Sequence, residues 1–322
     1  MTITTPPEQR LTAALDRLGL QEATPAAAVP PIAMPMQMGL DARSWVVVGA
    51  DGPVFVRLFD AALPHAALRD LDSVAAKQAA AAGVGPAVIA ADADLGLQAT
   101  AFQTAPWHMA MRPHFDDAGA RAAVLATLKT WHGTAPLARP FDRLAELAVL
   151  MTEIEALAAD GSKRGSQLPS GWAELRQAAA DASALLSAID FDPAPVHGEI
   201  VVSNILLNDA GGALLVDFDR AGTGDPMSDI AGLALEICPD PDSAEALLEQ
   251  AFGTATDDLR TRLHLWQLVE DIYWGCWLRL AHFASPLSQA VEFYKLGTLR
   301  LDRAVGRMTQ DAAPFLTRRS VA

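Results

Sequence analysis

Residues 195–229 read PVHGEIVVSNILLNDAGGALLVDFDRAGTGDPMSD, and this stretch decides the fold. Two apolar runs, ILL (205–207) and ALLV (213–216), flank the turn-forming DAGG (209–212), which predicts a β-hairpin. The preceding HGEIVVSN offers a loop carboxylate, Glu199, with an amide oxygen five residues later at Asn204. The second strand ends in another carboxylate, Asp217. A hairpin would bring Asn204 and Asp217 together. Oxygen donors of this kind are hard ligands and suit Mg²⁺.

Working outward, the composition narrows the classes of function. The chain has 322 residues, of which 51% are hydrophobic, so a sizeable core can form. Its formal charge of −15, without a Lys/Arg-rich run, argues against nucleic acid as a partner. Cys238 and Cys276 are the only cysteines and lie far apart, which gives neither a disulfide framework nor a zinc motif and suits a reducing cytoplasm. The N-terminal MTITTPPEQR lacks the regions of a signal peptide, and no apolar run approaches the roughly 20 residues that cross a bilayer. A soluble cytoplasmic protein without a membrane partner is expected, with a homodimer left open.

The order of elements is read from periodicity. PEQRLTAALDRLGL (7–20) places Leu11, Leu15 and Leu18 on one helical face. A Pro/Ala-rich loop is expected through Pro35, then a hairpin of WVVV (45–48) and VFVRLF (54–59) around GADG (49–52). The segment from Pro64 to Ala82 reads as a helix ended by Gly83 and Pro86. Short strands follow at 86–91 and 97–102. Helical patterns dominate at 116–133, 142–159 and 171–188, the hairpin region 194–217 interrupts them, and long helices return over 242–310. This order predicts an α+β fold with two lobes: a β-rich lobe over residues 1–103 and a helical lobe over 104–322, with a hinge near QTAPWHM (103–109).

Phosphoryl transfer needs a carboxylate near the acceptor hydroxyl and groups that hold Mg²⁺ against the phosphates. The ordered set His197, Glu199, Asn204, Asp217, Asp219, Gly224, Asp225, Pro226 and Asp229 resembles the aminoglycoside phosphotransferase and choline kinase superfamily, whose pattern is HxDxxxxN, D-x-D/E and G-D-P-x-x-D. Closest in texture are bacterial choline/ethanolamine kinase-like proteins. The resemblance implies a protein kinase-like fold that uses ATP and Mg²⁺. It implies that Asn204 and Asp217 hold the metal, that Glu199 stands in the place of the catalytic Asp, and that Asp229 braces the catalytic loop. His197 is then a structural loop residue, and Asp219 falls beside the acceptor.

In the N-terminal third, Arg57 of VFVRLF matches the cationic strand residue that holds nucleotide phosphates. Its customary helix Glu is missing. Asp70 or Asp72 can substitute, with Asp72 grouped with Arg57 and Ser44 as nucleotide-binding. MGLDARS (38–44) holds a single glycine, Gly39, in place of a full Gly-rich loop, so a plain surface turn competes with a phosphate role for Ser44.

For the acceptor, Trp274 and Trp277 are three apart on one predicted helix and share a face. With Tyr294 they resemble the aromatic positions of choline kinases, where a quaternary ammonium is held by cation–π contacts. Core packing is the competing reading. LKTWHGTAPLARPFDRL (128–144) resembles a further choline kinase-like passage. The expected activity is phosphorylation of choline, ethanolamine or a related amino alcohol. The alternatives are an antibiotic or sugar as acceptor, and a pseudokinase that binds nucleotide or a quaternary amine. The pseudokinase alternative arises from the missing helix Glu, the thin phosphate loop and Glu199, which is one methylene, about 1.5 Å, longer than Asp.

Overall fold

The first hairpin closes where the sequence places its turn. In the computed structural model of the chain, β2 (Ala42–Gly49) and β3 (Gly52–Phe59) pair antiparallel from Ala42↔Phe59 to Gly49↔Gly52. Gly52 takes a φ of 117°, which side-chain-bearing residues rarely adopt. The structure describes residues 4–21, 25–29, 42–61, 63, 70–161, 166–284 and 287–310. The candidate loop residue Gly39 lies outside them.

The strand alternation of β3 sorts its side chains between two faces. Val54, Val56 and Leu58 join Trp45, Val47, Leu97 and Ala99 in one apolar cluster with Ala14 and Leu15 of α1 (Pro7–Arg17). Ser44 and Arg57 pair directly across the strands, as do Arg57 and Gln98, so these three buried polar residues form a row on the other face. The sheet is completed by β1 (Pro25–Val29), β4 (Val88–Asp92) and β5 (Leu97–Ala101), in the order β1-β2-β3-β5-β4, with every pairing antiparallel. The strand β1 arises inside the Pro/Ala-rich stretch that the sequence reads as loop.

The helix expected over 64–82 is shorter among the described residues. It runs as α2 (Val74–Ala81), preceded by Ser73 in the left-handed region at φ 55°. The Asp70 carboxylate accepts the Ala75 N–H at 2.7 Å, so the turn before α2 is capped by a side chain. Pro64–Arg69 lie outside the described residues.

Two compact units organise the chain: Met1–Phe141 with Ala194–Gly224, and Asp142–Pro193 with Asp225–Ala322. The first also contains α3 (Ala118–His132), which starts where Asp117 caps Gly119 N–H at 2.9 Å. Its second sheet has the order β6-β8-β9, from β6 (Trp107–Met109), β8 (Ile205–Asn208) and β9 (Ala213–Leu215). A further pair joins β7 (Ala194–Val196) to β10 (Gly222–Gly224).

The second unit is helical: α4 (Arg143–Asp160), α5 (Trp172–Ser187), α6 (Met227–Ile237), α7 (Pro241–Phe252), α8 (Asp257–Ala284) and α9 (Leu287–Gln310). Helix α8 is its axis and is buried all round from Leu265 to Arg279, which only a helix enclosed by neighbours can be. A Cβ on Gly275 would stand 2.6 Å from Leu301, so glycine is what lets α8 and α9 approach. Helix α6 goes unread in the sequence, although its apolar residues Met227, Ile230, Ala231, Ala234 and Ile237 keep a helical spacing and nine of its eleven residues are buried. Among the described residues no helix is long and apolar enough to cross a membrane.

Candidate active site

The loop before the second hairpin is held by its own main chain. His197, fully buried, sets Nε2 2.8 Å from the Val216 carbonyl and accepts the Glu199 N–H on Nδ1 at 3.3 Å, which assigns the Nε2-protonated tautomer. Its ring packs against Phe218 with centroids 4.6 Å apart. Both ring nitrogens of His197 thus face main-chain groups. Glu199 is half-buried, and its carbonyl accepts Asn204 Nδ2 at 3.1 Å.

The hairpin does bring Asn204 and Asp217 together. β8 and β9 pair at Ile205↔Leu215, and the Val216 N–H donates to the Asn204 carbonyl at 2.9 Å. Asp217 follows in the left-handed region at φ 70° and ψ 60°, a conformation that costs a non-glycine residue on the order of 1 kcal/mol. A 3-10 turn over Phe218–Arg220 carries the chain onward. The Asp217 carboxylate accepts a hydrogen bond from Arg57 of β3, whose guanidinium is buried beside the Phe59 ring.

These donors fit a Mg²⁺ ion. Because Nδ2 of Asn204 is committed to the Glu199 carbonyl, the amide is oriented and its oxygen is the opposite pole. Among the described residues no group of three or more His, Cys, Asp or Glu could hold a metal. An amide–carboxylate pair is a different kind of site, and it suits an ion that keeps several waters and takes its remaining ligands from phosphates.

Of the nucleotide candidates, Ser44 is buried beside Arg57 in the polar row, while Asp72 is exposed and offers its backbone carbonyl to Lys77 Nζ at 2.8 Å. Asp70 caps the turn before α2. Arg57 reaches the Asp217 carboxylate. Sequence reading missed the last member of the row: Gln98 Nε2 donates to Ser73 Oγ at 2.9 Å, tying the sheet to the start of α2. Asp219 is fully buried, and its carbonyl accepts Asp70 N–H at 2.8 Å and Arg139 Nη1 at 2.9 Å.

The second unit holds the aromatic candidates. Trp274 and Trp277 share a face of α8, as their spacing predicts, with ring centroids 5.8 Å apart in an edge arrangement. They are only 8% and 3% exposed, however. Trp274 Nε1 donates to Glu270 at 3.0 Å, and the other Glu270 oxygen accepts Arg143 Nε at 2.8 Å. Arg143 in turn lies 3.8 Å over the Tyr273 ring. Burial raises the Glu270 pKa, opposed by Arg143 and by the Trp274 hydrogen bond. Burial disfavours charge on Arg143 too, but Glu270, Tyr273 and Glu146 outweigh it and leave its pKa above the ordinary value. The α9 aromatic beside the Trp pair is Phe293, 6.0 Å from Trp277. Tyr294 is 41% exposed and stacks with Arg279 and His282.

Asp229 is buried in the first turn of α6. Its neighbour Asp225 does more than the sequence reading assigned to it. The Asp225 carboxylate takes both Arg262 donors, Trp266 Nε1 at 2.6 Å and the Met227 N–H at 2.8 Å, which clamps the start of α6 to α8. Its place in G-D-P-x-x-D is the only signal the sequence carried.

The chain matches the phosphotransferase enzyme family (APH) over residues 33–266. Among proteins of curated function, none matches it by sequence. Similar solved structures include a choline/ethanolamine kinase family protein from Mesorhizobium loti, with 21% identity over 96% of both chains and a TM-score of 0.71. The choline kinase LicA from Streptococcus pneumoniae is 14% identical over 92% of this chain and 99% of its own, at a TM-score of 0.69, and LicA is also known in complex with AMP. A spectinomycin phosphotransferase in complex with ADP and spectinomycin is 12% identical over 93% of this chain and 98% of its own, at 0.56. The fold is the two-lobed, protein kinase-like α+β fold of these neighbours. With the family match spanning well over half its length, the chain belongs to the phosphotransferase enzyme family.

Proposed function

We propose that the chain is an ATP- and Mg²⁺-dependent kinase that transfers the γ-phosphoryl group to a hydroxyl of choline, ethanolamine or a related amino alcohol. The observation that carries the phosphotransferase part is the hairpin that sets the oriented Asn204 amide beside Asp217, with Arg57 on the Asp217 carboxylate. Asn204 and Asp217 would hold Mg²⁺, which supplies charge neutralisation at the phosphates. Arg57, on a rigid strand, attracts the phosphate oxygens electrostatically. Glu199 orients the acceptor hydroxyl and takes its proton, while His197 keeps the loop in place. Nucleotide use is supported by the AMP and ADP complexes of the similar structures.

The amino-alcohol acceptor is supported by the Trp274–Trp277 couple and by the choline and ethanolamine kinases among the similar structures. A different acceptor, an antibiotic or a sugar, is favoured by one observation: the two Trp rings are nearly fully buried, as core residues are. Release of ADP over choline, ethanolamine, thiamine, homoserine and aminoglycosides decides between them. Turnover with an amino alcohol is the expected result. Turnover with another acceptor alone would overturn the assignment.

A further inference from the structure

The segment Leu137–Phe141 borders both ends of the phosphotransfer site, although no catalytic or binding role falls to it. Thr223 N–H donates to the Arg139 carbonyl and accepts Phe141 N–H on its own carbonyl, both at 2.8 Å. Its hydroxyl donates to the Leu137 carbonyl at 2.9 Å. These bonds lay the segment along β10 as a short parallel strap, with Pro140 bridged to Thr223. From the strap, Arg139 Nη1 donates to the Asp219 carbonyl at 2.9 Å, two residues beyond the left-handed Asp217.

On its other side the strap meets the catalytic loop. A Cβ on Gly198 would stand 2.9 Å from the Phe141 ring and 2.7 Å from the Arg220 carbonyl, and Gly198 has a φ of 79°. Only a bare backbone fits between those two groups, and the next residue is Glu199. Gly222 and Gly224 are equally close to Pro140 and Phe141, where added Cβ atoms would lie 2.9 Å away.

We infer that Arg139 and Phe141 are positioning residues: through one strap they set the backbone of Asp217 and of Glu199 in register with each other. The inference rests on the phosphotransferase reading above. The left-handed Asp217 persists only while its surroundings over-determine it. Arg139 donates to the Asp219 carbonyl in the turn after Asp217, and the Asp70 N–H donates to the same carbonyl. Phe141 fixes the loop on the far side of the same turn.

The test measures Mn²⁺ binding in the presence of a non-hydrolysable ATP analogue by calorimetry, alongside steady-state kinetics. Arg139→Met should weaken metal binding and lower kcat by about 10-fold each, with the nucleotide KM within about twofold of wild type, since a backbone shift near 1 Å can cost up to ~100-fold in rate. Arg139→Lys, which can still donate to the carbonyl, should recover most of both. A folded Arg139→Met protein whose metal affinity stays within about twofold of wild type overturns the inference, whatever its turnover. Should that variant fail to fold, Phe141→Leu is read by the same two quantities and the same thresholds. Wild-type protein that binds neither nucleotide nor metal overturns the phosphotransferase reading and the inference with it. Intact wild-type binding with unchanged variants overturns the strap alone.

Discussion

The hairpin of the first unit and helix α8 of the second both bury charged groups, and they do so to opposite ends. In α8 the carboxylates are saturated by arginine and indole donors. Glu270 accepts Arg143 and Trp274, and Asp271, fully buried, accepts Arg303, Arg300 and Arg307 of α9. Oxygens filled in this way serve packing. In the hairpin the bonds that fix His197 and Asn204 run through main-chain groups, the Val216 carbonyl and N–H and the Glu199 carbonyl, while Asp217 takes Arg57. Such a frame holds side chains in position for a ligand. Burial of charge does not by itself mark a site. In the hairpin a backbone-held amide, Asn204, stands beside the paired Asp217, whereas in α8 arginines and an indole fill the carboxylates.

The sharpest way to break this comparison is to remove one carboxylate from each region. Asp217→Asn should reduce kcat on the order of 10³-fold, because it removes the charged ligand for the Mg²⁺ that neutralises the phosphates, with a smaller loss of urea stability, since Asn keeps an oxygen acceptor for Arg57. Glu270→Ala should do the reverse in kind, costing about 3–5 kcal/mol of stability by stranding the buried Arg143. Urea unfolding followed by circular dichroism, beside a coupled ADP assay, separates the two. A stable, slow Glu270→Ala protein would show that Glu270 serves turnover and not packing.

Next in size is Glu199→Asp. Shortening the side chain returns the carboxylate by about 1.5 Å. It should raise kcat by roughly 10-fold with an amino alcohol, since positioning dominates this chemistry. A drop in kcat would mean that the loop is built around Glu.

Smaller still is Trp266→Phe, which deletes one hydrogen bond to the Asp225 clamp and leaves both Arg262 bonds. A loss of about 1 kcal/mol in urea unfolding is expected, with kcat unchanged. The least effect concerns Cys276 of α8, whose thiol pKa is pushed up by burial. Iodoacetamide and mass spectrometry should leave Cys276 unmodified in native protein and modify it only in urea.

How much of this was legible in the sequence follows the same divide. The hairpin, the spacing of His197, Glu199, Asn204 and Asp217, and the Trp274–Trp277 face are local, and local patterns survive in a sequence. The Asp225 clamp, the Gln98–Ser73 bond and the strap join residues far apart in the chain; Arg139 and Asp219 are 80 apart, and Arg143 and Glu270 are 127 apart. No periodicity encodes such pairs. Helix α6 escaped for another reason: Pro226 at its N-cap supplies no side-chain cap to mark its start. The Trp pair shows the limit from the other direction, because its spacing predicts a shared face but says nothing about how deeply that face is buried.

The most direct test of the central claim follows ATP, Mg²⁺ and an amino alcohol by ³¹P nuclear magnetic resonance. Wild-type protein should consume the γ-phosphorus signal and produce a phosphomonoester resonance, and Asn204→Ala should suppress its appearance on the order of 10²-fold or more. A wild-type protein that binds the nucleotide but forms no ester with any hydroxyl acceptor would contradict the account and leave a kinase frame without the reaction.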